Sequence, residues 1–149
     1  MAKGDLTIFE EFAAQVGLAK HNLDTEVHKL MLISTAAASV AASTAAPTYT
    51  TFSGAEMASG NGYTTTGETV ASTSYVEASG VGTMDGVDVT WSQNASGFTT
   101  ARTAILYNST HASSVAIAKV DLGSTNVSLQ DGDVTVSWHS SGILTITVS

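Results

Sequence analysis

The chain has 149 residues, of which 43% are hydrophobic and only 12% charged, so it suits one ordinary domain with a real core and not a disordered tail. Thirteen acidic against five basic residues give a net charge of −8, and the five (Lys3, Lys20, Lys29, Arg102, Lys119) are scattered, which speaks against a nucleic-acid partner. Cysteine is absent, which removes disulfide frameworks, thiolate catalysis and Cys-based zinc sites, while 19 Ser and 22 Thr lean the chain towards strands and turns.

The first 20 residues mix Lys3, Asp5, Glu10 and Glu11 into the apolar positions, so no signal-peptide core is expected. Phe9, Phe12, Ala13 and Val16 fall at helical spacing, Thr7 with Glu10 reads as a capping box, and Gly17 is a natural stop. This predicts a helix over about Ile8 to Val16. The helix either closes one end of the fold or carries Phe9 and Phe12 to a partner. Glu26 to Ile33 reads as a first strand, and residues 1–25 as a helix and arm ahead of a single domain over 26–149. Leu30 to Ala55 carries no charge, but it holds nine Ser or Thr, Pro47 and mostly Ala, so a membrane span is not expected. Within it, Ser34 to Thr51 is low-complexity Ala/Ser/Thr, read either as an extended arm on a neighbour or as a loosely packed strand and loop. Gly54 to Gly67, with Gly60-Asn61-Gly62-Tyr63, is a long turn-rich connection.

From Val70 onward strand patterns dominate: Thr73–Glu77, Val87–Ser92, Thr100–Tyr107, Ser114–Leu122, Asn126–Leu129, Val134–Trp138 and Leu144–Val148. About eight short strands separated by Gly, Asp and Asn turns predict an all-β antiparallel sandwich or jelly roll. Asp85-Gly86-Val87-Asp88-Val89-Thr90-Trp91-Ser92 is echoed by Asp131-Gly132-Asp133-Val134-Thr135-Val136-Ser137-Trp138, each a tight turn feeding a Val-rich strand. Trp91 and Trp138 are expected in the core, and Arg102 is expected to pair across the sheet with a carboxylate such as Asp88.

Chemistry is sparse. His21, His28, His111 and His139 make no His-x-x-x-His pair, no Gly-x-Ser-x-Gly elbow occurs, and no glycine-rich phosphate loop precedes a helix. Asp131-Gly132-Asp133 could offer oxygens to calcium, but that ion needs six or more and Asp-Gly is a common hairpin turn. No catalytic residue, metal or cofactor is expected. A small hydrolase would have only His111 or His139 as its base.

The order of landmarks resembles a family of small virion proteins from tailed bacteriophages. These are Lys29-Leu30-Met31-Leu32, Glu56 leading to Gly60-Asn61-Gly62-Tyr63 and Gly67, then Val87 to Trp91, Ala101 to Tyr107, and Gly132 to Trp138 followed by Gly142-Ile143. The resemblance runs over most of the chain from about residue 24, and the Ser34–Thr51 segment is longer and blander than its pattern. It implies a small β-sandwich of the virion, similar to the cement (decoration) proteins bound outside icosahedral heads. It further implies a homo-oligomer on the major capsid protein, located on the capsid exterior and assembled in the host cytoplasm. A cement protein needs no catalytic centre, only a rigid scaffold and many weak contacts repeated by symmetry. Phe9, Phe12, Val40, Tyr49 and Phe52 are the residues expected at such an interface. The other reading is a tail or fibre module that binds a host glycan, for which Tyr49, Tyr63, Tyr75 or Trp138 would face solvent.

Overall fold

The computed structural model describes residues 2–148. In chain order it contains β1 (Leu6–Ile8), α1 (Phe12–Gly17), β2 (His28–Ile33), a 3₁₀ turn (Ala37–Ser39), α2 (Tyr49–Phe52), a second 3₁₀ turn (Ser53–Ala55) and β3 (Glu68–Thr69). There follow β4 (Ser74–Ala78), β5 (Val81–Asp85), β6 (Val89–Trp91), β7 (Thr103–Asn108), β8 (Ala116–Asp121), β9 (Val134–Val136) and β10 (Leu144–Thr147). With 35% strand against 11% helix and antiparallel pairing throughout, the chain is mostly β, as expected.

The strands form a five-stranded sheet in the order β1-β8-β7-β2-β3, a three-stranded sheet β10-β5-β4, and a two-stranded ribbon β6-β9. Strands β7 and β8 are buried at every position and β2 at all but Lys29. Such strands need apolar residues on both faces, which is why Leu30-Met31-Leu32-Ile33 and Ala104-Ile105-Leu106-Tyr107 run unbroken instead of alternating.

One face of this sheet (Leu30, Leu32, Ala104, Leu106, Ala118, Val120) packs with Met84 of β5, Leu144 of β10, and Val89, Trp91, Val134 and Val136 of the ribbon. The other face (Met31, Ile33, Ile105, Tyr107, Ala116) packs with Phe9, Val40 and Phe52. The Ala/Ser/Thr segment is therefore neither a free arm nor a strand: it folds back as the cover of the second face. Two polar groups of the sheet tie it down. Lys119 of β8, 5% exposed, donates from Nζ to the carbonyls of Ala37 and Val40, and the Thr103 hydroxyl donates to Thr35 O at 2.6 Å. Burial lowers the Lys119 pKa, partly offset by the nearby Asp121 carboxylate.

The N-terminal expectation needs correction. Thr7 lies in β1, opposite Lys119, and the helix begins four residues later than expected, at Phe12. Strand pairing of residues 6–8 overrides the local helical spacing. Asn126–Leu129 is not a strand, since only Val127 bridges, to Ala101. Strands β1, β3 and β5 were not expected; β5 contains Gly82 and Asp85, both poor strand formers. Gly82 is needed there because a Cβ would fall 1.8 Å from the Tyr75 hydroxyl. The two echoing segments prove to be partners, pairing Val89 with Val136, Thr90 with Thr135 and Trp91 with Val134. No helix among the described residues is long and apolar enough to cross a membrane.

Gly67 ends the long connection with φ +70°, where a Cβ would sit 2.1 Å from the Leu30 carbonyl oxygen. Neither the backbone nor the neighbour can yield, so Gly67→Ala is expected to cost about 3 kcal/mol or more. Gly54→Ala, with nothing within 4 Å, should stay within about 0.5 kcal/mol of the parent. Urea denaturation midpoints of the two variants check this contrast.

Candidate functional site

The five residues expected at an intersubunit contact are packed inside the chain. Phe9 is 1% exposed and stacks on Phe52 with ring centroids 5.5 Å apart, Val40 lies in the same cluster, and Phe12 packs in the main core. Tyr49 is half-buried, its ring 5.4 Å from that of Tyr107. The two-sided burial of the main sheet consumes these side chains, so in the folded chain they are its own core and cover rather than an open surface.

Beside this cover the landmarks Lys29, Glu56, Tyr63 and Tyr107 meet in one hydrogen-bonded network. The Glu56 carboxylate accepts the Tyr49 hydroxyl at 2.7 Å, the Tyr63 hydroxyl at 2.8 Å and the Thr66 N–H at 2.7 Å. The Tyr63 oxygen also accepts the Leu32 N–H at 3.0 Å, Tyr107 donates to Thr66 O at 2.7 Å, and Lys29 donates to the Thr66 hydroxyl at 3.0 Å. This ties the 56–67 connection to β2 and β7. Burial pushes the Tyr49 and Tyr107 phenols up to about 12, helped by the Glu56 charge, and raises Tyr63 as well. A carboxylate that already accepts three donors is a clamp; its lone pairs are committed to holding the loop.

A second buried polar group closes the far end of the main core. His28 is fully buried, and neither of its ring nitrogens makes a hydrogen bond of good geometry. Its cross-strand partner Asn108, also fully buried, donates to Glu26 Oε2 at 2.6 Å and Lys20 O at 3.1 Å. His21 Nε2 meets Gln15 Oε1 at 2.8 Å, and its Nδ1 is unpartnered. Burial first, then the neighbouring His28, brings His21 down to about 4, and burial also lowers His28 against the pull of Glu26. The Asn22 N–H and the Asn108 amide hold Glu26 low. Nothing in the sequence pattern marked this group beyond a histidine at the start of an apolar strand.

The other expected groups lie apart. His111 and His139 occupy different loops, and each Nδ1 accepts a backbone N–H two residues on, from Ser113 and Ser141, both at 3.1 Å. Arg102 does not reach Asp88; its Nε donates to Gly123 O at 3.4 Å. Asp88 instead accepts the Trp138 N–H at 2.9 Å, and Asp133 accepts the Gln93 N–H at 2.7 Å, so each echo's aspartate closes the far end of the other strand. Among the described residues, no group of three or more His, Asp or Glu side chains is placed to hold a metal ion. Trp91 is 2% exposed and Trp138 is half-buried at the core margin.

The outer face of the three-stranded sheet is different. Tyr75, Met84, Leu144 and Ile146 point into the core, so alternation turns Ser74, Val76, Ala78, Val81, Thr83, Asp85, Thr145 and Thr147 outward. Asp85, paired with Ser74 at one end of the face, is the one charged residue among these, and Val76 is 63% exposed. No family model, curated protein or solved structure matches the chain.

Above pH 10 the unfolded chain releases phenol protons that folded Tyr49 and Tyr107 keep until about 12, so stability should fall between those values. Tyr107→Phe should flatten that loss in an alkaline denaturation series. Separately, Glu56→Gln removes the charge from an acceptor of three donors and is expected to cost about 2 kcal/mol by urea denaturation at neutral pH.

Proposed function

We propose that the chain is a structural protein of a tailed-phage particle, a cement protein on the outside of the icosahedral head. In this reading it acts as a homo-oligomer, assembles in the host cytoplasm and bridges subunits of the major capsid protein. The architecture belongs to the same proposal: a β-sandwich in which the five-stranded sheet and the smaller sheets enclose the main cluster as two layers.

The observation that carries the reading is the outer face of β4, β5 and β10, where Asp85 at one end is the one charge. In a chain of net charge −8, a sheet face otherwise of Val, Ala, Ser and Thr is a surface suited to burial against another protein. Strand β4 also lies at the edge of its sheet, where main-chain groups can pair with a neighbouring strand. The landmarks behind the resemblance support a scaffold role as well, because Glu56, Tyr63 and Gly67 act as fasteners of one loop.

The glycan-binding tail module is supported by one observation. Half-buried Trp138 borders a hollow of about 250 Å³ together with Asp5, Ser137 and His139, a mix of aromatic face and polar groups that suits a sugar. Tyr63 cannot serve that role, being 3% exposed.

Cosedimentation of purified chain with empty phage heads, followed by cryo-electron microscopy, decides between them. The cement role requires saturable binding at a copy number set by shell symmetry, with Val76→Asp weakening it about tenfold or more at unchanged melting temperature. Absence of binding to heads, together with binding to glycans that Trp138→Ala abolishes, would overturn it in favour of the tail module.

A further inference from the structure

The polar group at the end of the main core is not needed by a cement protein. Its parts are drawn from three places: Gln15 from α1, Lys20, His21 and Glu26 from the connection before β2, and His28 with Asn108 from the main sheet. The connection 18–27 has no helix or strand of its own and is held by few bonds. These are the two from Asn108, the His21–Gln15 contact, the N–H groups of Leu18, Ala19 and Lys20 to carbonyls of residues 14–16, Val27 against Ser109 and Thr110, and the Tyr75 N–H to Asp24 Oδ1 at 3.2 Å. Leu23 anchors it in the core. His21, Asp24 and Glu26 also line an open hollow of about 570 Å³ that includes Tyr75 and Ile146, so water reaches the outer side of the group.

We propose that His21 and His28 form an acid-triggered latch: protonation releases residues 18–27 from the end of the core while the five-stranded sheet stays folded. A protonated imidazole carries two N–H donors. At His28 neither nitrogen has an acceptor of good geometry, and at His21 only Nε2 faces one, the Gln15 oxygen. The added protons would therefore be buried beside each other with poor partners, since the Glu26 backbone favours a proton on His28 without making a hydrogen bond of good geometry.

The charged and titratable groups around them do not relieve this. Lys20 and His111 act against His21, and the one carboxylate acting on both rings, Glu26, is already taken by the Asn22 N–H and the Asn108 amide. On β2 itself Lys29 lies on the opposite face and bonds Thr66, while Gln15 and Asn108 do not titrate. Hydration through local opening is cheaper than unzipping β2, whose six residues all pair with β7. The folded rings sit below 6.5, so protons favour the open form as pH falls below that value. Each histidine can shift the opening equilibrium by up to about tenfold per pH unit until its folded pKa is reached.

Hydrogen exchange of the full chain, followed by mass spectrometry and corrected for intrinsic rates, tests this at pH 7.5 and pH 5. Glu26, whose carboxyl is held low, stays ionised at both. Residues 18–27 are expected to lose protection by about tenfold or more at pH 5, with β2, β7 and β8 unchanged. His28→Leu and His21→Gln should each reduce that loss, and the double variant should abolish it. The latch is overturned if the double variant keeps the pH dependence, if the segment shows none in the parent, or if the sheet strands lose protection together with it.

Discussion

Burial of β2, β7 and β8 on both faces is the constraint from which the rest of the molecule follows. A sheet with one wet face needs a single cover, whereas three strands apolar on both sides need two. The three-stranded sheet and the ribbon supply one, bringing Met84, Trp91, Val136 and Leu144 to the Leu30–Leu106 face. The second is an irregular segment poor in large side chains. Phe52 and Val40 are buried in the cluster with Tyr49 and Ala55 packed against it, and polar anchors fix the segment in place of bulk. Lys119 is the main one, a buried ammonium satisfied by two carbonyls of the very segment it holds. That arrangement makes a low-complexity stretch part of a defined fold.

Carboxylates have a parallel role. Glu56 gathers two phenols and a backbone N–H, Glu26 gathers Asn22 and Asn108, and Asp88 and Asp133 close opposite ends of the ribbon. Part of the acidic excess is therefore invested in pinning connections whose own residues are too small or too polar to pack. Accepting N–H and O–H donors is what ionised carboxylates do best when partly buried. The outer face of β4, β5 and β10 stands apart from these fasteners, being free of charge at its centre.

How much of this could be read from the sequence depended on whether local pattern and tertiary context agreed. Where strand alternation was clean, as in Val89–Trp91, Val134–Val136 and Leu144–Thr147, the expected strands lie within a residue or two of the observed ones. Unbroken apolar runs likewise marked β2, β7 and β8. Leu6–Ile8 was misread because Phe9, Phe12 and Val16 carry a helical period, while the pairing of Leu6 with Val120 that makes β1 is invisible locally. Phe9 and Phe52 looked like contact residues because nothing in the sequence shows that the sheet has a second face to cover. The Glu56 clamp joins residues from Lys29 to Tyr107, and the histidine group joins Gln15 to Asn108. Neither spacing forms a motif, because such sites are assembled by strand register. The echoing aspartates carried the clearest overlooked signal, since two equivalent turn-and-strand units can pair with each other and place matching carboxylates at the two ends.

Strand order also sets a timetable for synthesis. Leu6 has its partner at Val120, and the six residues of β2 have theirs between Thr103 and Asn108. While the ribosome is still adding the segments between, β1 lacks its strand partner and β2 has only β3 and a few bonds from residues 56–70, among them Met57 N–H to Leu32 O and Val70 N–H to His28 O. During that interval Leu30-Met31-Leu32-Ile33 is a charge-free β-prone run without its β7 partner, of the kind that nucleates aggregates. The flanking Lys29 interrupts it on one side only; on the other the charge-free chain continues to Ala55. A nascent chain of this design has its most vulnerable moment before residue 103 emerges, when its most apolar strand still lacks the partner that will bury it.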